Sequence, residues 1–149
     1  MTTRPGHRTV ASEEALAVFL IGLRINRWHR PDTWVPALTA MGPMLAELYA
    51  DPASGFLGHR TTLTAGGPLL VQYWRSAADV QRYARAHDQR HRPAWGAFYA
   101  RARRSPGAVG IWHELYDVAP GAAHATYVDT PSLGLDKAVS QPTSLRSTA

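Results

Sequence analysis

Gly110-Ile111-Trp112-His113-Glu114-Leu115-Tyr116, near the end of the patterned part of the chain, decides how the rest is read. Neighbouring side chains of an extended strand point to opposite faces. Ile111, His113 and Leu115 therefore share one face, and Trp112, Glu114 and Tyr116 share the other. A strand that carries an ionisable group on each face needs polar company or solvent on both sides. Working outward, Ser105-Pro106-Gly107 turns the chain into this strand, and a second turn at Pro120-Gly121 leads to a short strand over residues 123–128.

Upstream, Pro93 starts a helical segment that carries Trp95, Phe98 and Tyr99 inward. Arg101, Arg103 and Arg104 end it, where cations complement the helix dipole. Ser76, with Asp79 three residues on, has the spacing of a capping box and opens an earlier helix using Val80, Tyr83 and Ala84. Residues 87–92 interrupt the two. Residues 69–74 form a strand apolar on both faces. Ala65-Gly66-Gly67-Pro68 joins it as a hairpin to a weakly patterned strand at 56–64. Trp34, Leu38, Met41, Leu45 and Leu48 recur at intervals of four and three, an amphipathic stripe that Asp32 can cap. Gly42-Pro43 is expected to kink or interrupt that helix. Over residues 15–25, Phe19, Ile21, Leu23 and Ile25 take one face and Val18, Leu20, Gly22 and Arg24 the other. This predicts a central strand covered on both sides.

The resulting order is the α+β, ferredoxin-like βαββαβ unit. Residues 1–14 are expected to be a flexible leader, 15–129 the folded domain, and the Ser/Thr/Pro-rich residues 130–149 a flexible or wrapping tail. A ferredoxin-like sheet has helices on one face only, whereas two of its strands look apolar on both. A homodimer formed through the open face resolves the conflict.

Composition narrows the chemistry. With 149 residues and 45% hydrophobic content the chain suits one domain with its own core. The absence of cysteine removes thiolate nucleophiles and thiolate-held zinc or haem, and is compatible with a reducing cytoplasm. The formal charge of +5 comes mainly from scattered arginine, a solubilising surface and not a nucleic-acid site. Glu13 and Glu14 precede the first apolar run and no small-residue cleavage site follows it, so it is neither a signal peptide nor long enough to span a membrane. No Gly-rich dinucleotide loop or P-loop is present; Gly66-Gly67 is a turn.

Several segments together resemble a known family: Arg24-Ile25-Asn26-Arg27, Gln72-Tyr73-Trp74-Arg75-Ser76, His91-Arg92-Pro93-Ala94-Trp95, Gly110-Ile111-Trp112-His113-Glu114, and Tyr127-Val128-Asp129-Thr130-Pro131 with Gly134-Leu135. The pattern is similar to the bacterial and fungal family of the fumagillin-pathway monooxygenase. That family lies within the dimeric α+β barrel, antibiotic-biosynthesis monooxygenase superfamily. The resemblance covers about residues 19–135. It implies the dimeric barrel and a monooxygenase-like oxidoreductase of secondary metabolism. Superfamily activities range from cofactor-free oxygenases to haem enzymes and isomerases, so fold alone does not set the reaction.

Each candidate residue carries two meanings. His113 is a possible general base, its ordinary pKa close to working pH, or a core histidine satisfied by hydrogen bonds. The resemblance gives the base a task, removing a proton from a phenol or carbon acid to give an anion that reacts with oxygen. Glu114 is a second catalytic candidate or half of a structural ion pair. Arg24 and Asn26 share a face and are candidate stabilisers of an anionic oxygen; otherwise Arg24 pairs with Glu114 and Asn26 caps a turn. Trp74, Trp95 and Trp112, with Tyr73, Phe98 and His91, are candidate walls of a flat apolar pocket for an aromatic, polyketide or terpenoid substrate, or else ordinary core. His87 and His91 have a four-residue spacing but no third ligand, and no metal is expected. The expected substrate is an apolar small molecule and no cofactor is required. The alternatives are haem on His91 or His113, in an aldoxime-dehydratase-like or haem-oxidising enzyme, and a non-enzymatic ligand-binding dimer.

Overall fold

The computed structural model describes residues 1–86 and 91–140, without the side chains at 91, 92, 94 and 95. Its elements run β1 (Arg4–Ala11), β2 (Leu16–Ile25), α1 (Pro31–Ala50), β3 (Phe56–Thr64), β4 (Gly67–Trp74), α2 (Ala77–Arg85), α3 (His91–Arg104), β5 (Val109–Val118), β6 (His124–Thr130) and α4 (Leu135–Val139). Strands β2 to β5 make an antiparallel sheet in the order β3-β4-β2-β5, the ferredoxin-like arrangement. The register sets Ile21 opposite both Leu70 and His113, and Phe19 opposite both Gln72 and Leu115. One face is thereby lined by Ala17, Phe19, Ile21 and Leu23 with their cross-strand neighbours. Against it pack Leu45 and Leu48 of α1 and Val80 and Tyr83 of α2.

Local chemistry accounts for the roof. Ser76 Oγ accepts the Asp79 backbone N–H at 3.1 Å, so α2 starts where the capping spacing predicts. Arg75 Nε and Nη2 grip the Asp79 carboxylate at 2.8 and 3.0 Å, and Arg82 reaches it from the next turn. Burial by itself would raise the Asp79 pKa. Hydrogen bonds from Arg75 and Ser76, with the charges of Arg75 and Arg82, outweigh it and hold the carboxyl below its ordinary value. Helix α1 begins at Pro31 and is not interrupted at Gly42-Pro43, where a kink or an interruption was expected. The apolar stripe on both sides of Pro43 is packed on the sheet, and that packing carries the helix across the missing hydrogen bond. Arg30 flanks the helix start and pairs with Asp32, which lies within the first turn and does not cap it.

The N-terminal end of the chain departs from expectation. The segment expected as a loose leader contains β1, paired antiparallel with β6 in a two-stranded ribbon. Gly6, at φ +91°, sits in the irregularity between Arg4 and His7, and its N–H is held by Asp129 Oδ1 at 2.8 Å. Backbone pairing across more than a hundred residues is invisible to local composition. After β6, α4 buries Leu135 and Asp136, and Arg4 and Arg8 of β1 approach the Asp136 carboxylate at 3.6 and 3.5 Å. Residues 130–140 thus wrap the domain; residues 141–149 lie outside the described set. No helix among the described residues is long and apolar enough to cross a membrane.

Candidate active site

Between the sheet and its helices lies a cavity of about 610 Å³, within the range of small-molecule sites. Phe19, Ile21, Leu70 and Trp74 floor it, Met41, Met44 and Leu48 of α1 form one wall, and Tyr99 of α3 joins them. Among the described residues, five polar side chains interrupt this apolar surface: Gln72 of β4, Gln81 and Tyr83 of α2, Tyr99 of α3 and His113 of β5. A separate cavity of about 60 Å³ beside Ala37, Met41 and Phe98 is too small for a substrate.

His113 does not lie on a buried strand, as the sequence suggested. Among the described strands β5 is the sheet's edge, paired only with β2, and the His113 side chain is exposed where it lines the cavity. Its ring packs beside Phe19 with centroids 5.7 Å apart. The imidazole is thus fixed by an apolar neighbour on one side and accessible on the other. Burial, then the charge of Glu47, pushes the Tyr83 hydroxyl up to about 12, so at neutral pH it is a phenol and not a phenolate.

The remaining catalytic candidates occupy the opposite face. Alternation along β5 puts Glu114 beside Trp112 and Tyr116, and Glu114 Oε2 accepts the Tyr116 O–H at 2.6 Å. Arg24, Asn26 and Glu114 share this open side, but Arg24 is opposite Gly110 while Glu114 is opposite Leu20. Four residues of strand separate them, about 13 Å, and the suggested Arg24–Glu114 pair does not form. Arg24 Nε donates to Asn26 Oδ1 at 3.2 Å, and Asn26 N–H bonds Ala108 O at 3.0 Å. Neither residue is on the face that carries His113, which separates the base from the suggested anion stabilisers.

The pocket candidates divide in the same way. Trp74 lines the cavity and is 1% exposed. Phe98 is buried in a second core cluster with Leu23, Ile25 and Val109, and borders the small cavity. Trp112 lies across Gly22 on the open face, where any Cβ at position 22 would collide with its indole. Tyr73 is on the open face as well, its hydroxyl near Gly134 of the wrapping segment. Burial first, then Tyr127, raises its pKa. The side chains of His91 and Trp95 lie outside the described set, as does His87. Among the described residues no cluster of three or more histidine or acidic side chains is placed to hold a metal ion. Sequence reasoning missed Gln72, Gln81, Tyr83 and the methionines of α1. Gln72 had a signal in the alternation of β4, where it is the one polar inward position between Leu70 and Trp74.

The profile of the monooxygenase af470-like family matches residues 16–135. The chain belongs to this family. Comparison with curated proteins gave no significant match. Among solved structures it is similar to SnoaB, a cofactor-independent oxygenase from Streptomyces nogalater, at 12% identity and a TM-score of 0.43. That match covers 68% of this chain and 90% of SnoaB. It is also similar to a possible oxidoreductase of unknown function from Bacteroides thetaiotaomicron, at 10% identity and a TM-score of 0.44, over 71% and 99% of the two chains. A dimeric ferredoxin-like protein of unknown function from Bacteroides fragilis shares 17% identity at a TM-score of 0.36, over 67% and 96%.

Proposed function

We propose that the chain is a cytoplasmic monooxygenase of secondary metabolism that oxidises an apolar aromatic, polyketide or terpenoid substrate in the helix-side cavity, without a nucleotide cofactor. Membership of a monooxygenase family supports the reaction class. The observation that carries the site is His113, an accessible imidazole on the wall of a largely apolar cavity of about 610 Å³. As general base it removes a proton from an activated methylene of the substrate, and the carbanion bonds to one atom of O2. Return of the proton gives a hydroperoxide. Loss of the remaining C–H proton with cleavage of the O–O bond then yields the ketone and one water. The substrate supplies all the electrons.

Haem is the less suited occupant. His113 offers one imidazole, but no arginine or lysine among the described lining residues is placed for the propionates. Titration with haem should therefore give no Soret shift; a stable shifted band would favour the haem reading.

Arg24, Asn26 and Glu114 are assigned to a subunit interface and not to the chemistry. Trp112 and Tyr116 are 40% and 51% exposed on the open face, beside half-buried Val18, Leu20 and Val71. A second copy of the sheet would cover them. Sedimentation at micromolar concentration should show a dimer, and Leu20→Arg a folded monomer; a monomeric wild type removes the interface. For the chemistry, oxygen uptake with planar carbon acids such as anthrone should fall at least about 100-fold in His113→Ala with the dimer intact. Unchanged uptake takes His113 out of the mechanism.

A further inference from the structure

The polar groups of the cavity are unequal, because one of them has its orientation fixed by its neighbour. Trp74 Nε1–H donates to Gln72 Oε1 at 3.0 Å, within the floor of the cavity. An indole nitrogen is a donor only, so the amide atom facing it must be the oxygen, whichever way a side-chain amide might otherwise be turned. The amide NH2 then points away from Trp74. Gln72 is 7% exposed, and among the described residues no protein acceptor takes that NH2. An occupant that fills the cavity takes water away from these two N–H donors, which is costly unless the occupant itself accepts from them.

We infer that Gln72 is a ligand anchor, its amide NH2, oriented by Trp74, donating to a carbonyl or enolate oxygen of the molecule bound in the cavity. The inference rests on the cavity being the substrate site, and it adds the orientation and one required functional group. The register places the anchor relative to the base. Gln72 and His113 point to the same side of the sheet from β4 and β5, with β2 between them, and are offset by two residues through Phe19 and Ile21. Two inter-strand spacings and two residues of rise put their Cα positions about 12 Å apart. The fitting ligand is a rigid apolar body of two or three fused rings. Its acceptor oxygen lies on Gln72 and its acidic C–H or O–H is directed towards His113.

The test uses a probe pair that differs only in the acceptor: 9-fluorenone, with a carbonyl, and fluorene, without one. Binding is followed by quenching of tryptophan emission. The wild type should bind fluorenone about tenfold more tightly than fluorene, the fold-change of one buried hydrogen bond. Gln72→Glu keeps an acceptor for the Trp74 indole and removes the donor; it should abolish the preference, bringing the ratio of the two affinities to about one whatever their absolute values. Trp74→Phe, which frees the amide to turn, should reduce the preference without abolishing it. An equal preference in the wild type and in Gln72→Glu overturns the anchor while leaving the cavity as the binding site. Failure of the wild type to bind either probe overturns the cavity as an apolar site, and the anchor with it.

Discussion

On one side of the sheet Trp74 is 1% exposed beneath two helices; on the other Trp112 is 40% exposed and lies across Gly22. Both are strand tryptophans beside a polar neighbour, and neither local sequence marks which will be covered. The difference comes from where the connections run. The helical crossovers α1 and α2–α3 lie on the same side, so inward residues such as Ala17, Leu23 and Trp74 are buried beneath them, while outward Val18, Leu20 and Val71 are only half-buried. The same alternation divides the chemistry. His113 enters the cavity, while Glu114, one residue on, turns away to hydrogen-bond Tyr116. Adjacent ionisable residues on a strand are therefore poor evidence for one site, because the pleat separates them by the thickness of the sheet.

The strongest way to break this comparison is to truncate both tryptophans. Trp74→Ala should cost about 3–5 kcal/mol of folding stability, at every protein concentration, because it opens a cavity in a packed core. Trp112→Ala should cost less, and its cost should follow the proposed subunit interface. The wild type's rise in midpoint with protein concentration should be weakened in that variant. Chemical denaturation at two concentrations measures both. Equal, concentration-independent losses would mean that the two faces are not differently covered.

A second test loosens the roof. At pH 7 Asp79→Asn should lose about 1.5–3 kcal/mol, the range for hydrogen bonds to a charged group, since its carboxylate joins Arg75, Ser76 and Arg82 at the start of α2. The Asp79 pKa is lower in the folded state than its ordinary value of 3.8. The stability it supplies is then fully present above that ordinary value. It is lost as pH falls through it towards the lower folded value. The gap between wild type and variant should be constant from pH 5 to 7 and close below about pH 4. A gap that persists undiminished at pH 2 would show that the carboxylate's charge is not what secures α2.

Much of the sheet could be read from the sequence because its signals are local. The Gly66-Gly67 turn, the apolar runs that make β2 and β4 the inner strands, and the Ser76–Asp79 spacing each act within a few residues, and each appears in the structure; the expected cover on the second face of β2 does not, Val18 and Leu20 being only half-buried. The β1–β6 ribbon was not legible. Its pairing joins Arg8 to Tyr127, and the residues themselves are largely polar and exposed. The site was legible by face but not by membership. Alternation separates His113 from Glu114 correctly, yet the choice of edge strand, which leaves His113 accessible, depends on sheet order. Gln72 escaped notice because its significance lies in the indole two residues on and in the cavity both border.

The smallest expected effect sharpens the same division. Arg24 is exposed on the open face, its guanidinium held by Asn26 at 3.2 Å and laid against the Gly66 turn. Charged side chains in such positions contribute little to folding, since water screens the pair and holding a long side chain costs entropy. Arg24→Ala should change folding stability by no more than about 0.5 kcal/mol. Urea denaturation of a monomeric background, Leu20→Arg, isolates this from any effect on the interface. A loss above about 1.5 kcal/mol would mean that Arg24 is satisfied inside the domain. The face it shares with Glu114 would then be a second buried layer and not an open one.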